Sequence, residues 1–255
     1  MIRNFITALQ FLTIITVSKK HEVGESELAK SMVYFPFVGF LIGLILVWAD
    51  RAFLWFVPDT ISNIFLLILS VVMTRALHID GLADSIDGIM GGGDPESRLV
   101  IMRDSRIGTA GVLSIVFVLM IKYVCLNNLF VDYKAAALLT APAFSRWSQM
   151  LMMFNAGYVR EQGMGKAFVG HVRSSGLVAA SVITVGLSGF VIYQYDLRTA
   201  ILAIGIPLAV GLVTFLWRWF VVRKIGGVTG DSVGAVSEMN EALTLLLFVF
   251  ILAGR

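Results

Sequence analysis

The chain has 255 residues, of which 58% are hydrophobic and only 15% are charged, and its mean hydropathy is +0.86. This composition excludes an ordinary soluble globular protein and indicates an integral membrane protein. The net charge of +3 is small, and it comes from basic residues of the kind that set membrane orientation, so nucleic acid is not an expected partner. The single cysteine, Cys125, excludes a disulfide framework.

Seven apolar runs are long enough to cross a hydrocarbon core of ~30 Å as helices. They lie at about residues 33–57, 61–78, 108–126, 134–153, 176–194, 199–221 and 234–253. The segment before them, residues 1–17, is apolar but contains polar side chains, which predicts a retained amphipathic helix on or partly in the bilayer. An eighth span is the alternative. The expected fold is an all-α, polytopic membrane helical bundle that forms one domain over residues 1–255.

Lysine and arginine residues concentrate in alternate loops, and loops of this kind usually face the cytoplasm. The basic positions on this side are Arg3, Lys19, Lys20, Lys30, Arg98, Arg103, Arg106, Arg160, Lys166, Arg173, Arg223 and Lys224. The opposite side shows little more than Arg51, Lys134 and Arg198. We therefore expect the N-terminus and the even-numbered loops on the cytoplasmic side.

Three aspartates follow the second apolar run with a spacing that is typical of one helix face. Asp80, Asp84 and Asp87 stand at i, i+4 and i+7, and steps of four and three residues place side chains on the same side of a helix. Their negative charges repel one another unless a cation or a basic partner is present. Mg²⁺ held by a few carboxylates and by substrate phosphates is a frequent solution, so the cluster is typical of a metal site, with basic partners as the alternative.

The loop after the aspartates begins with residues 91–93, three glycines that end the helix. Asp94 is expected to cap a short helix that starts at Pro95. A plain turn explains the glycines, and an approach of backbone amides to phosphate oxygens explains them equally well.

Arg103 and Arg106 lie one helical turn apart in the same loop. Both can point at one anion, because guanidinium groups make bidentate hydrogen bonds to phosphate. Ser105 and the free amides at the start of the next helix can add further hydrogen bonds. Simple anchoring at the cytoplasmic surface is an equally good explanation of the two arginines.

The last polar segment, residues 226–241, leads into the seventh apolar run. Asp231 follows Thr229 and Gly230, while Glu238 and Glu241 stand one helical turn apart. Acidic residues suit the first turn of a helix, but acids that enter an apolar run are costly without partners. We expect a functional role for Asp231 and Glu238. The same expectation is weaker for Glu241.

Three basic side chains lie within or at the ends of apolar runs, where such groups tend to face a polar interior or a substrate path. Arg75 either serves this purpose or neutralises the nearby aspartates. His78 is more often a hydrogen-bonded structural residue than a ligand in such a position. Arg146 is either a stacked structural cation or a phosphate contact.

The three polar regions are all expected on the cytoplasmic side and can therefore converge. Clustered acids suit a metal ion, arginines suit phosphate, and glycines permit close approach of the backbone. This combination fits phosphoryl or nucleotidyl transfer at the membrane surface.

At these residues the chain resembles the cobalamin synthase family, the adenosylcobinamide-GDP ribazoletransferases. The resemblance covers nearly the whole chain, and the order and spacing of its motifs are specific. The motifs lie at Arg3–Thr13, Arg75–Asp84, Asp104–Gly108, Ser145–Trp147 and Gly226–Asp231. The segment Ile14–Thr16 departs from the Arg-Ile-Pro-like sequence of many members, and no role is assigned to it.

The resemblance implies a Mg²⁺-dependent, multi-pass enzyme of the bacterial inner membrane, with its catalytic loops on the cytoplasmic face. Its substrates would be adenosylcobinamide-GDP and α-ribazole or α-ribazole 5′-phosphate. The ribose hydroxyl would attack the cobinamide-side phosphorus, and GMP would leave. The lipid bilayer is an expected partner, while a homo-oligomer and contacts with other nucleotide-loop assembly enzymes stay open.

Three groups of residues receive roles under this hypothesis. The expected catalytic residues are Asp84, Asp87, Arg103 and Arg106. The expected metal ligands are Asp80, Asp84, Asp87, Asp231 and Glu238. The expected substrate-binding residues are Arg75, His78, Asp104, Ser105, Arg146, Thr229 and Gly230. One of the carboxylates would accept the hydroxyl proton.

Two other classes share some of these features. Asp84-Ser-Ile-Asp87-Gly88 matches the Asp-x-x-Asp-Gly start of the CDP-alcohol phosphatidyltransferases, but the Ala-Arg pair and the second acidic pair of that family do not follow. An ion-coupled transporter predicts acids in the middle of spans and broken helices in paired halves. Here the acids concentrate at helix ends, and no internal repeat is apparent.

Overall fold

The computed structural model describes residues 2–17, 24–194 and 200–252, and these ranges are mostly helical. Extended pairing within them is confined to one bridge between Tyr158 and Val228. The expected all-α fold is therefore confirmed. Of the basic residues used to predict the orientation, Lys19, Lys20 and Arg198 lie outside the described ranges.

The helices are α1 (Ile2–Leu12), α2 (Glu25–Ser31), α3 (Phe35–Phe53), α4 (Asp59–Met73), α5 (Leu77–Gly91), α6 (Pro95–Ile101), α7 (Thr109–Asn128), α8 (Val131–Met153), α9 (Ser174–Tyr193), α10 (Ala200–Ile225) and α11 (Gly230–Leu252). Short 3₁₀ turns occupy Met32–Tyr34 and Met164–Ala167. The predicted cap of α6 is confirmed, since Asp94 accepts a hydrogen bond from the backbone of Ser97.

Five of the described segments are long and apolar enough to cross a membrane. They are Glu25–Phe53, Thr109–Asn128, Ser174–Tyr193, Ile201–Ile225 and Gly230–Leu252. Helices α4 and α5 meet these requirements only as a pair bent by 85°, which makes a sixth span if the pair is counted as one. The expected polytopic helical membrane architecture is confirmed, and its seven apolar runs correspond to these segments and to α8.

Helix α8 differs from the spans because it is the central helix of the bundle. It packs against α3 on one side and against α11 on another, and residues 140–150 are buried throughout. Its polar side chains, including Arg146 and Gln149, therefore lie among protein atoms. The fourth predicted run is thus the helix that brings polar groups into the bundle.

Helix α1 is too short to be an eighth span. Its 11 residues correspond to about 16 Å, roughly half of a hydrocarbon core. One side of the helix is buried, with Ala8 and Leu12 almost completely covered. The geometry agrees with the amphipathic helix and excludes the alternative.

The bend between α4 and α5 fixes where the acidic helix begins. Arg75 and Ala76 both have left-handed backbone conformations, with φ of 53° and 57°, which non-glycine residues adopt only when their surroundings hold them there. Arg75 Nη2 donates to the carbonyl oxygens of Gln10 at 2.9 Å and Thr13 at 2.6 Å. Arg75 therefore ties the bend to the end of α1, and these contacts do not support its predicted substrate role.

Candidate functional site

The aspartates of α5 lie beside the start of α11 because glycine lets the two helices touch. A Cβ atom at Gly81 would lie 2.8 Å from the carbonyl oxygen of Asp231, and one at Gly234 would lie 3.2 Å from that of His78. Side chains at these positions would force the helices apart. The two glycines thus bring Asp231 next to the acidic face of α5.

Four carboxylates act on one another at this contact. Asp84 experiences the charges of Asp80, Asp231 and Asp87, with Arg160 as the opposing cation. In the described part of the chain, neither Asp80 nor Asp84 has a side-chain hydrogen bond or ion pair. The site therefore concentrates negative charge and leaves two carboxylates free to bind.

Arg160 is the cation of this cluster, although its position in the sequence indicates only membrane orientation. Its Nη2 lies 2.5 Å from Asp231 Oδ2, and the side chain is only 12% exposed. Its buried Nε has no hydrogen-bond partner among the described residues. A buried guanidinium with an unused donor, placed next to free carboxylates, is suited to binding an anionic substrate.

A short backbone pairing holds Arg160 in place. The amide of Val228 donates to Gly157 O at 2.9 Å, and the amide of Val159 donates to Val228 O at 3.2 Å. This links the loop after α8 to the segment before α11. Neither loop predicts the pairing by itself, which explains why Arg160 was missed.

Tyr158 adds a phenol to the same loop. Burial raises the pKa of Tyr158, Arg160 lowers it and Asp231 raises it further, with a net upward shift. The phenol is therefore protonated at neutral pH, and it donates to the carbonyl oxygen of Gln162 at 3.5 Å.

Asp87 makes different contacts from the other aspartates of α5. Its Oδ2 accepts from the amide of Gly108 and its Oδ1 from that of Gly111, both at 2.7 Å. A carboxylate in this position caps the N-terminus of α7 and matches its dipole. Because both oxygens are engaged, Asp87 has a sufficient structural role, and its predicted metal role is supported only by its proximity to Asp84.

Arg106 is held by its own loop. Its Nε and Nη2 donate to the two carboxylate oxygens of Asp104 at 3.0 and 2.7 Å, and its side chain is 88% exposed. These hydrogen bonds lower the pKa of Asp104 to about 2. Arg103 lies closer to the cluster, since its charge acts on Asp231 and Tyr158. Ser105 is exposed beside them.

A second group of charges is buried deeper in the bundle. Lys122 Nζ donates to Glu238 Oε2 at 2.7 Å and to Glu241 Oε1 at 2.9 Å, and Arg146 Nη1 donates to Glu241 Oε2 at 2.8 Å. The four charges balance. Arg146 is therefore a structural cation, and the predicted metal role of Glu238 finds no support because Lys122 already neutralises it. Lys122, inside an apolar run, was missed by the sequence analysis.

His78 contacts two polar side chains of α8. Its Nε2 lies 2.8 Å from Gln149 Nε2, and its Nδ1 lies 3.5 Å from Arg146 Nη2. These contacts support a hydrogen-bonded structural role for His78 and not its predicted role in substrate binding. Thr229 is also structural, because its hydroxyl accepts from the amide of Ser232 at the start of α11.

The cluster has a cavity beside it. This cavity of about 380 Å³ is walled in part by Asp80, Arg160, Gly230 and Asp231. A larger cleft of about 530 Å³ lies between α2 and the start of α9, and it contains none of the predicted site residues. Of the predicted site residues, His78, Asp80, Gly230 and Asp231 line the smaller cavity.

The carboxylates fit a divalent cation that the substrate helps to hold. Among the residues that the structure describes, no three His, Cys, Asp or Glu side chains form a complete metal site. Asp80 and Asp84 are nevertheless unpaired, and Mg²⁺ is usually bound through one or two carboxylates together with substrate phosphates. The donor set therefore suits Mg²⁺ in the presence of a phosphorylated ligand.

These features define a polytopic membrane enzyme with a polar, acidic site at one end of its helical bundle. The family described as cobalamin-5-phosphate synthase matches residues 4–249, and the chain belongs to this family.

Curated relatives named adenosylcobinamide-GDP ribazoletransferase are similar over nearly their whole length. The one from Geotalea daltonii is 36% identical over 251 residues, covering 98% of both chains. That from Fusobacterium nucleatum is 32% identical and covers 98% of both chains. That from Thermoanaerobacter sp. is 36% identical and covers 97% of both chains. No solved structure matches the chain.

Proposed function

We propose that this chain transfers the cobinamide-phosphate group of adenosylcobinamide-GDP to α-ribazole or α-ribazole 5′-phosphate. This is the nucleotide-loop assembly step of vitamin B12 biosynthesis. The observation that carries the proposal is the cluster of Asp80, Asp84 and Asp231 around Arg160, in a chain of the cobalamin synthase family. The family match favours this function over phosphatidyl transfer and ion-coupled transport.

The reaction exchanges the phosphoanhydride bond of the donor for a phosphate ester bond to the acceptor. A ribose hydroxyl oxygen of the acceptor forms a bond to the cobinamide-side phosphorus. The bond between that phosphorus and the bridging oxygen breaks, and GMP leaves with the oxygen and the electron pair. The hydroxyl proton passes to a carboxylate of the cluster.

The residues of the chain then have distinct tasks. Asp80 and Asp84, with Asp231 beside them, would hold Mg²⁺, which neutralises phosphate charge when it is bound. Arg160 and Arg103 stabilise negative charge that develops on the phosphoryl oxygens. Asp87 keeps α5 against α7, and so keeps the acidic face in position.

Arg106 keeps a part in this proposal because its pair with Asp104 is exposed. An exposed ion pair contributes little to stability, so the guanidinium can exchange its carboxylate for a phosphate. The basic residues of the loops support a cytoplasmic location of this site at the inner membrane, because such residues concentrate on the cytoplasmic side.

The test uses purified protein in nanodiscs with adenosylcobinamide-GDP, α-ribazole and Mg²⁺. Asp84→Asn should lower GMP release at least 100-fold, a loss at the upper end of what perturbing metal-site residues costs. Asp94→Asn is the matched control, because Asp94 only caps the exposed helix α6, and it should keep wild-type activity. Wild-type rates and Mg²⁺ dependence in Asp84→Asn would overturn the assignment of the cluster.

A further inference from the structure

The cavity next to the cluster has one aromatic, apolar side. Phe11 stands at its edge, with its ring centroid 4.6 Å from that of Phe168 and 6.0 Å from that of Phe35. Met153 and Val169 complete this part of the lining. Rings and aliphatic groups of this kind bind a flat, apolar group by stacking and by removing it from water.

Another part of the lining of this cavity is polar. It is formed by His78, Asp80, Gln149, Arg160 and Asp231. The carboxylate of Asp80 has no side-chain partner in the described chain, so one of its oxygens can accept from a hydroxyl group while the other would hold Mg²⁺. A ligand that combines an aromatic group with hydroxyl groups therefore suits this lining.

Tyr158 closes the cavity from the loop after α8, and two glycines allow it to do so. A Cβ atom at Gly163 would lie 2.5 Å from Tyr158 Oη, and one at Gly165 would lie 2.8 Å from Tyr158 Cε2. The loop can thus fold directly over the phenol. Tyr158 provides a further aromatic surface to the lining of the cavity.

We propose that this cavity is the binding site of the acceptor nucleoside, with its aromatic base between Phe11 and Tyr158 and its ribose directed at Asp80. The inference rests on the proposed function and deepens it. The cavity of about 380 Å³ lies in the range of small-molecule sites, ~300–1,000 Å³. A corrin ring with its side chains is several times larger than a nucleoside and does not fit there.

The chemistry of the base separates the acceptor from the guanosine of the donor. Dimethylbenzimidazole, the base of α-ribazole, is almost entirely apolar. Guanine carries an amine, an amide and further acceptors, which would lack partners against Phe11, Phe168 and Met153, and unpaired buried polar groups are costly. The aromatic side of the cavity therefore favours the acceptor.

Two substitutions test this placement and a third controls for it. Phe11→Leu and Tyr158→Leu remove the two aromatic surfaces. Tyr158 is a half-buried loop residue, so its substitution carries a smaller risk of misfolding than that of Phe11. Phe5→Leu removes a ring from the same helix as Phe11, but Phe5 packs against Tyr34 and Phe37 and does not line the cavity. Steady-state kinetics are measured with each substrate varied in turn.

Phe11→Leu and Tyr158→Leu should each raise KM for α-ribazole about tenfold. KM for adenosylcobinamide-GDP should stay within twofold of wild type, and Phe5→Leu should change neither value. Equilibrium titration with α-ribazole alone should show the same loss of affinity.

A selective rise of KM for adenosylcobinamide-GDP would place the donor in the cavity and overturn the inference, as would unchanged kinetics in both variants. Either result leaves the proposed function intact. The proposed function itself fails if wild type and Phe5→Leu both release no GMP with either form of the acceptor.

Discussion

Arg160 Nη2 lies 2.5 Å from Asp231 Oδ2, which joins the loop after α8 to the first turn of α11. The pair stands where Asp80 and Asp84 bring two further negative charges. Arg160 is therefore the counter-ion of the acidic cluster when no cation or substrate is bound. Removing it should change both cation binding and catalysis, and in opposite directions.

Arg160→Gln should bind Mn²⁺, a spectroscopic substitute for Mg²⁺, about tenfold more tightly, because a nearby positive charge is gone. Its kcat/KM should nevertheless fall at least tenfold, because a charged hydrogen-bond donor to phosphate is lost. Titration followed by electron paramagnetic resonance gives the first value. Lys166→Gln, an exposed cation of the same loop, is the control, and weaker Mn²⁺ binding in Arg160→Gln would contradict the assigned role.

Substitutions of Asp84 and Asp87 should both lower activity, but only the substitution of Asp87 should lower thermal stability. Asp87→Asn leaves only one oxygen for two backbone amides and places an NH₂ group against the other amide, which costs about 1–3 kcal/mol. Asp84→Asn removes repulsion and breaks no hydrogen bond. Thermal unfolding in detergent should show a lower Tm for Asp87→Asn alone, while both variants lose activity. An equal loss of Tm in Asp84→Asn would show that Asp84 is also structural.

Lys122→Met should be among the most destabilising single substitutions, since it leaves Glu238 and Glu241 with one cation between them. Breaking a buried ion pair from one side costs about 3–5 kcal/mol. Adding Glu238→Gln restores the charge balance and should recover part of the loss. The recovery is measured as the monodisperse fraction in size-exclusion chromatography. A double variant that is worse than Lys122→Met would mean that the charges do not act as a balanced group.

The Asp104–Arg106 pair should not titrate in the working range of the enzyme. The pKa of Asp104 is lowered to about 2 from a model-peptide value of 3.8, so what the pair contributes is complete above pH ~4 and is lost only as the pH falls towards 2. The pH profile of Asp104→Asn between pH ~6 and ~9 should therefore have the shape of the wild-type profile. A shifted limb in the variant would show that this carboxylate takes part in the pH dependence.

The sequence predicted what depends on spacing along the chain. The three aspartates of α5 and the Asp94 cap follow from steps of three and four residues and from local capping rules. The fold class follows from apolar runs. The aspartate cluster, the helix cap and the fold class all depend on residues that are close in sequence, so the residue pattern along the chain can predict them.

The contacts that the sequence did not predict join distant segments. Arg160 pairs with a residue of another loop, and Lys122 meets Glu238 across more than a hundred residues. Both cations also have ordinary explanations in a membrane protein, as an orientation signal or as a residue near a span end. The packing of α7 and α8 against α11 lets Lys122 neutralise Glu238. Asp80 has no such partner among the described residues, and the sequence does not show this difference.

The most direct test of the central claim is the product ratio of purified wild-type protein supplied with adenosylcobinamide-GDP, α-ribazole and Mg²⁺. We expect equimolar GMP and adenosylcobalamin, with no GMP released when α-ribazole is omitted. Release of GDP in place of GMP would mean that a different bond breaks, and GMP release without consumption of α-ribazole would mean hydrolysis. Either result would contradict transfer to the ribose hydroxyl at this site.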